Sequence, residues 1–157
     1  MAPVLRLVPL FLATAGCGAV EGLPRDPEGT SERILATHVI RAGAAENPPW
    51  VVTRGGGEPR GVEPDMIRGF AKQLGAKVVW VVNGEAPLVK LLEKGELDLA
   101  ATGATAQTPW KKKAAVSRSY ATGPGGESRV LLAAAGENQL LLRLDRFLVA
   151  QKEARKP

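Results

Sequence analysis

Cysteine is nearly absent from this chain. Cys17 is the only one, so no disulfide can close within a molecule, and a lone cysteine in an exported chain needs its own explanation. Histidine is as scarce, with His38 alone. Zinc-type ligand spacing is missing, so neither a metal nor a cofactor is expected. His38 opens an apolar stretch and reads as structural. Aromatic residues make up 4% of the chain, and the net charge of +5 is scattered except at Lys111–Lys113 and in the tail 152–156. Without a basic stripe, these patches read as a solvated face and a frayed end, and no nucleic-acid partner is expected. No apolar run reaches the ~20 residues of a membrane-spanning helix. Glu58, Glu63 and Asp65 are close in sequence, yet Asp65 falls in a first helical turn, where the helix dipole favours acids. No paired acid–base constellation stands out, so an enzyme is not expected.

What is present begins with the N-terminus. One basic residue, Arg6, precedes an apolar run of Leu7, Val8, Leu10, Phe11 and Leu12, and Ala13 to Gly16 are small. That order is the layout of a secretory signal. Its end, Ala15-Gly16-Cys17, resembles the bacterial lipoprotein box, which implies lipid attachment at Cys17 and export to the periplasm or cell surface. Thr14 and Pro9 depart from the usual pattern. The other reading is an ordinary signal peptide with an incidental cysteine. Residues 1–16 are thus assigned to the signal and 17–34 to a tether rich in Gly, Pro and mixed charge. Residues 35–150 form one domain, and 151–157 a basic tail.

From Thr37 the pattern is regular. His38–Ala42 predicts a strand, and Pro64 opens a helix with Met66, Ile67, Phe70, Ala71 and Leu74 at helical spacing. Lys77–Val82 is a nearly continuous apolar strand, of the kind covered on both faces. Pro87 opens a second helix, and Leu97–Thr102 predicts a third strand. Arg129–Ala135 predicts a fourth strand, and Asn138 caps a last helix carrying Leu140, Leu141, Leu144, Phe147 and Leu148. Alternating strands and helices predict an α/β fold, a mostly parallel sheet with helices on both faces. In such sheets ligands sit beyond the carboxyl ends of the strands. Two loops qualify there. One carries Asn47-Pro48-Pro49-Trp50 and the other Thr102-Gly103-Ala104-Thr105. Trp50 reads either as an apolar wall of a site or as a loop aromatic packed on its own domain. Thr102 and Thr105 read either as ligand-facing hydroxyls or as turn hydroxyls bonding local backbone.

The pieces HVIRAG, NPPW, GVEPDMIRGFAKQLGAKV, LVKLLEKGELDLAATGATAQTPW and AVSRSY follow one another between residues 38 and 120. In that order they resemble the first lobe of bacterial extracellular solute-binding proteins of family 3, the amino-acid-binding type. The resemblance implies a single lobe of a periplasmic-binding-protein-like fold that binds a small solute for an ABC importer. It implies ligand contacts from Trp50, Gly103 and Thr105, to which the reading of the loop after the third strand adds Thr102. Trp110 aligns with the family's carboxylate-binding arginine and so counts among the expected ligand contacts beside Trp50, a departure that removes a bidentate cation. Only Ala121–Ser128 stands where the family inserts its second lobe, and 129–150 resembles the returning strand and last helix. The expected partners are therefore a small-molecule solute, an ABC permease or a second lobe-bearing protein, and the membrane through the lipid. The alternative is an interaction or structural lipoprotein that has kept the lobe-one scaffold without a ligand.

Overall fold

The computed structural model describes residues 25–155; the expected signal segment and Cys17, within residues 1–24, and residues 156–157 lie outside them. The elements run α1 (Thr30–Thr37), β1 (Val39–Ala44), α2 (Val62–Gln73), β2 (Lys77–Val82), α3 (Glu85–Glu93), β3 (Leu99–Ala101), a 3-10 turn (Pro109–Lys112), β4 (Ala115–Val116), β5 (Ala121–Thr122), β6 (Ser128–Arg129), β7 (Leu132–Ala133) and α4 (Asn138–Ala154). Among these residues no helix is long and apolar enough to cross a membrane.

The sheet corrects the expected fold class. Its order is β2-β1-β3-β7-β4, with a separate two-stranded sheet of β5 and β6. Strands β1, β2 and β3 are parallel, but β7 runs antiparallel to both β3 and β4. A mixed sheet plus a small second sheet therefore replaces the mostly parallel sheet with helices on both faces. The cause is connectivity. Parallel neighbours need a crossover long enough to return the chain to the starting end of the sheet. Helices α2 and α3 supply one each, and the 3-10 turn region carries the chain from β3 to β4. Between β4 and β7 there is only the β5–β6 hairpin, so β7 comes back antiparallel.

The stretch Arg129–Ala135, read as one strand, is bent into β6 and β7. Leu131 is the corner. Its N–H donates to Ser117 Oγ at 2.9 Å, and its carbonyl accepts from Ser117 N–H at 3.0 Å. One serine thus satisfies both backbone groups where the chain changes sheets.

Strand periodicity sends alternate residues to two cores. Ile40, Ala42 and Ala44 of β1 join Leu99, Ala101 and Ala133 in a cluster with Ile34, Ile67, Phe70, Leu140, Leu144 and Leu148 from α1, α2 and α4. Ala100 and Leu132 point the other way, to Leu88, Val89 and Leu92 of α3. Helix α3 lies close because Gly43 has no side chain; a Cβ there would stand 2.7 Å from Leu88 Cδ2. No residue of β2 belongs to the core that α3 covers. Val79 is 53% exposed and Val81, on the same face, 36%, so β2 is an edge strand with one bare face rather than a strand covered on both.

Residues 30–34, assigned above to the tether, belong to α1, with Thr30, Ser31 and Ile34 buried. Asp26 accepts from the N–H groups of Gln139 and Leu140 at the start of α4, and Glu137 accepts from those of Glu28 and Thr30 at the start of α1. Each carboxylate caps the other's helix. Just before β3, Asp98 is fully buried and pairs with Arg33 and Arg41, both at 2.6 Å, while also accepting from Arg41 N–H. That satisfies the requirement that a buried carboxylate be paired.

Candidate functional site

Ala44 and Ala101 are register partners, so the loops that follow β1 and β3 leave the sheet side by side. Asn47 joins them. Its Nδ2 donates to the Thr102 carbonyl at 2.9 Å, and its backbone pairs twice with Val51, closing a tight turn that displays Trp50. Gly103 sits at φ +66, and a Cβ on it would collide with the Asn47 amide. Only glycine meets both demands.

Beneath these loops lies Glu63, in the first turn of α2. It is fully buried. One carboxylate oxygen accepts from Gly103 N–H at 2.9 Å and the other from the Tyr120 hydroxyl at 2.6 Å. Burial pushes its pKa up from 4.5 to about 7, against the opposing pull of those bonds and of the Arg129 charge. The Tyr120 hydroxyl is likewise driven upward, first by burial and then by Glu63.

Arg129, the last residue of β6, completes the cluster. Its guanidinium carbon stands 4.8 Å from the Trp50 ring centroid, while Tyr120 meets the same indole edge-on at 6.1 Å. Nη1 donates to the Gly103 carbonyl at 2.6 Å, and Nη2 donates to Glu127. Nε is buried without a hydrogen-bond partner. The side chain is 14% exposed. A cation held over an indole and still partly exposed has the chemistry to receive an anionic group. Glu127 is held below the usual carboxylate range by its own backbone N–H and by Arg129.

The residues expected from sequence distribute as follows. Trp50 and Gly103 meet in this cluster, and Thr102 adjoins it through its backbone carbonyl, which Asn47 holds. The Thr102 hydroxyl donates to Glu85 at 3.0 Å. Thr105 adjoins it through backbone, forming an antiparallel bridge with Arg129. Trp110 does not join it. It packs against the α3-side core, with its indole N–H buried and unpaired by protein groups.

Sequence reasoning missed Arg129, Glu127, Tyr120 and Glu63 as one group. The signal for Arg129 was a charged residue heading an otherwise apolar strand, three residues after the Pro124-Gly125-Gly126 turn. Nothing in the spacing brings Glu63 to Tyr120, which depends on α2 crossing beneath β3.

Known proteins agree with this architecture. The arginine-bound form of domain 1 from TmArgBP superposes with a TM-score of 0.68 at 24% identity, covering 75% of this chain and 97% of that one. The ancestral amino-acid-binding protein AncCDT-1, a precursor of cyclohexadienyl dehydratase, gives 0.69 at 15% identity, covering 79% and 93%. EhuB in complex with hydroxyectoine gives 0.53 at 26% identity, covering 60% of this chain and 37% of EhuB. Comparison with curated proteins finds no match. Residues 40–154 match the bacterial extracellular solute-binding proteins, family 3, and the chain belongs to that family.

Proposed function

We propose that this chain binds a small polar or amino-acid-like solute at the Trp50–Arg129 cluster and presents it to an ABC importer. The observation that carries this reading is the convergence of Trp50, Tyr120 and Arg129 with the backbone of Gly103 at the carboxyl ends of β1 and β3. Domain 1 of TmArgBP, matched here over nearly its whole length, has an arginine-bound form, which supports binding on a lobe of this size. Thr102 and Thr105 border the site. In this reading Trp110 fills core space and makes no essential ligand contact.

Export by residues 1–16 and lipid attachment at Cys17 complete the proposal. They place the binder at a bacterial membrane, in the periplasm or on the cell surface. There the anchor raises its effective concentration beside a permease or a second lobe-bearing protein. The binding test is calorimetric titration of the folded chain with amino acids, amines and aromatic acids, repeated on Trp50→Ala. Saturable heat in the parent that is lost in the variant supports the reading. Equal heat in both places the site elsewhere. For the anchor, Cys17→Ser should release the protein from membranes and abolish incorporation of a labelled fatty acid; retention of either removes lipidation.

One observation favours a second reading, a scaffold that has kept the lobe without a ligand. Arg129 already covers a face of Trp50, and Glu127 already answers Arg129. A stoichiometric protein partner recovered from membranes by mild cross-linking, with no heat from any solute, would select it.

A further inference from the structure

The β5–β6 hairpin makes a tight return at Gly123–Glu127, closed by Gly123 N–H to the Glu127 carbonyl at 2.8 Å and Gly126 N–H to the Gly123 carbonyl at 3.0 Å. This fold-back delivers the Glu127 carboxylate to Arg129 two residues later. Gly123 and Gly125 are what let it lie there; a Cβ on Gly125 would stand 2.9 Å from Glu127 Oε2, and one on Gly123 would collide with the carboxylate. Arg129 is fixed at its other end by the Gly103 carbonyl and by the face of Trp50. The arginine is therefore immobile, while its counter-ion sits on a short glycine-rich turn.

We infer that Glu127 is a tethered competitor: it occupies the Arg129 guanidinium over Trp50, and a solute carboxylate binds by displacing it. This rests on the binding reading above and adds the group that a solute carboxylate must displace. The chemistry is exchange of like for like. An arginine fork accepts a carboxylate through two parallel N–H bonds. Arg129 now spends Nη2 on Glu127 and leaves Nε, the adjacent donor on the same edge, without a partner. A free carboxylate taking Glu127's place can use both Nη2 and Nε, which the tethered one does not. Cationic solutes gain nothing there, because the indole face is already held by a cation. Glu63, which feels the Arg129 charge, is itself an acid, so the preference rests on Arg129.

A tethered competitor lowers apparent affinity by the fraction of molecules in which it is seated. Releasing it should therefore tighten carboxylate binding. The experiment titrates the parent chain and Glu127→Gln with succinate and benzoate, and with their neutral amides, by calorimetry. Glu127 is on the surface turn, so the variant keeps the fold, as circular dichroism would show. Glu127→Gln should bind the acids about fivefold more tightly or better, with no gain for the amides. Adding Arg129→Lys to that variant should cancel the gain. Equal binding of the acids by parent and variant, equal gains for acids and amides, or no acid binding by the variant each overturn the inference. Binding of neutral or cationic solutes by both chains would then leave the solute-binding reading standing, whereas silence toward every solute removes that reading itself.

Discussion

Glu63 sits where water does not reach, and the consequences for stability can be signed. Its folded pKa of about 7 lies above the ordinary 4.5. Between those two values the folded chain keeps a proton that the unfolded chain has released, so stability from this group is full below pH 4.5 and falls as pH rises to 7. At ~1.4 kcal/mol per unit the loss is about 3 kcal/mol. Urea unfolding of the parent and Glu63→Gln across pH 4.5–7.5 should show the parent losing that much relative to the variant; parallel profiles would contradict the assignment. Asp98 is a different kind of buried acid, held by two arginines whose outer ends are about a third exposed. Asp98→Ala leaves both guanidiniums without their common partner and should cost about 2–4 kcal/mol in denaturant unfolding. A cost within 0.5 kcal/mol, the ~0.5 kcal/mol range of an ordinary surface change, would show that the ion pair is incidental.

Helix α1 shows why part of the fold was hidden at the level of elements. It has eight residues and only one fully buried apolar side chain, Ile34, so no periodicity could emerge from the mixed charges around it. Its stability comes from Glu137, more than a hundred residues away, and from the pocket that Ile34 fills. A chain starting after α1 would lose that side chain and Asp26, leaving the first N–H groups of α4 bare. It should unfold at least 3 kcal/mol more easily, from ~2–5 for the lost aliphatic side chain and ~1 for the cap. An unchanged thermal midpoint would return residues 30–34 to the tether. Strand β2 fails for another reason. Its apolar run is real, but the run alone does not say that the core under α3 leaves it out. By contrast the buried faces of α2 and α4 were legible, because Met66, Ile67, Phe70, Leu140, Leu144, Phe147 and Leu148 repeat at helical spacing and all are buried, although α4 runs on to Ala154, four residues into the stretch assigned to the tail.

At the scale of the whole molecule, the ordered pieces between residues 38 and 120 were enough to place the chain in its family, since they mark strand ends and helix starts that the fold cannot do without. The site was half legible. Trp50 and Gly103 are loop residues at strand ends, and sequence order finds those. Arg129 acquires its place only when β6 pairs back along the loop after β3, 26 residues from Gly103. No local pattern encodes that pairing. Trp110, expected beside Trp50, instead fills the second core, and Trp110→Phe should leave solute binding within a factor of two or so while removing a buried, unpaired N–H.

The chain has three tryptophans, and that makes the central claim directly measurable. With Trp80 and Trp110 changed to phenylalanine, Trp50 becomes the only indole. Its emission is then followed during titration with amino acids and small organic carboxylates. The account predicts a saturable change in Trp50 emission whose midpoint matches the calorimetric one, because the solute lands on the guanidinium that lies over that ring. Calorimetric binding with Trp50 unmoved, or no saturable signal with any solute, would contradict it.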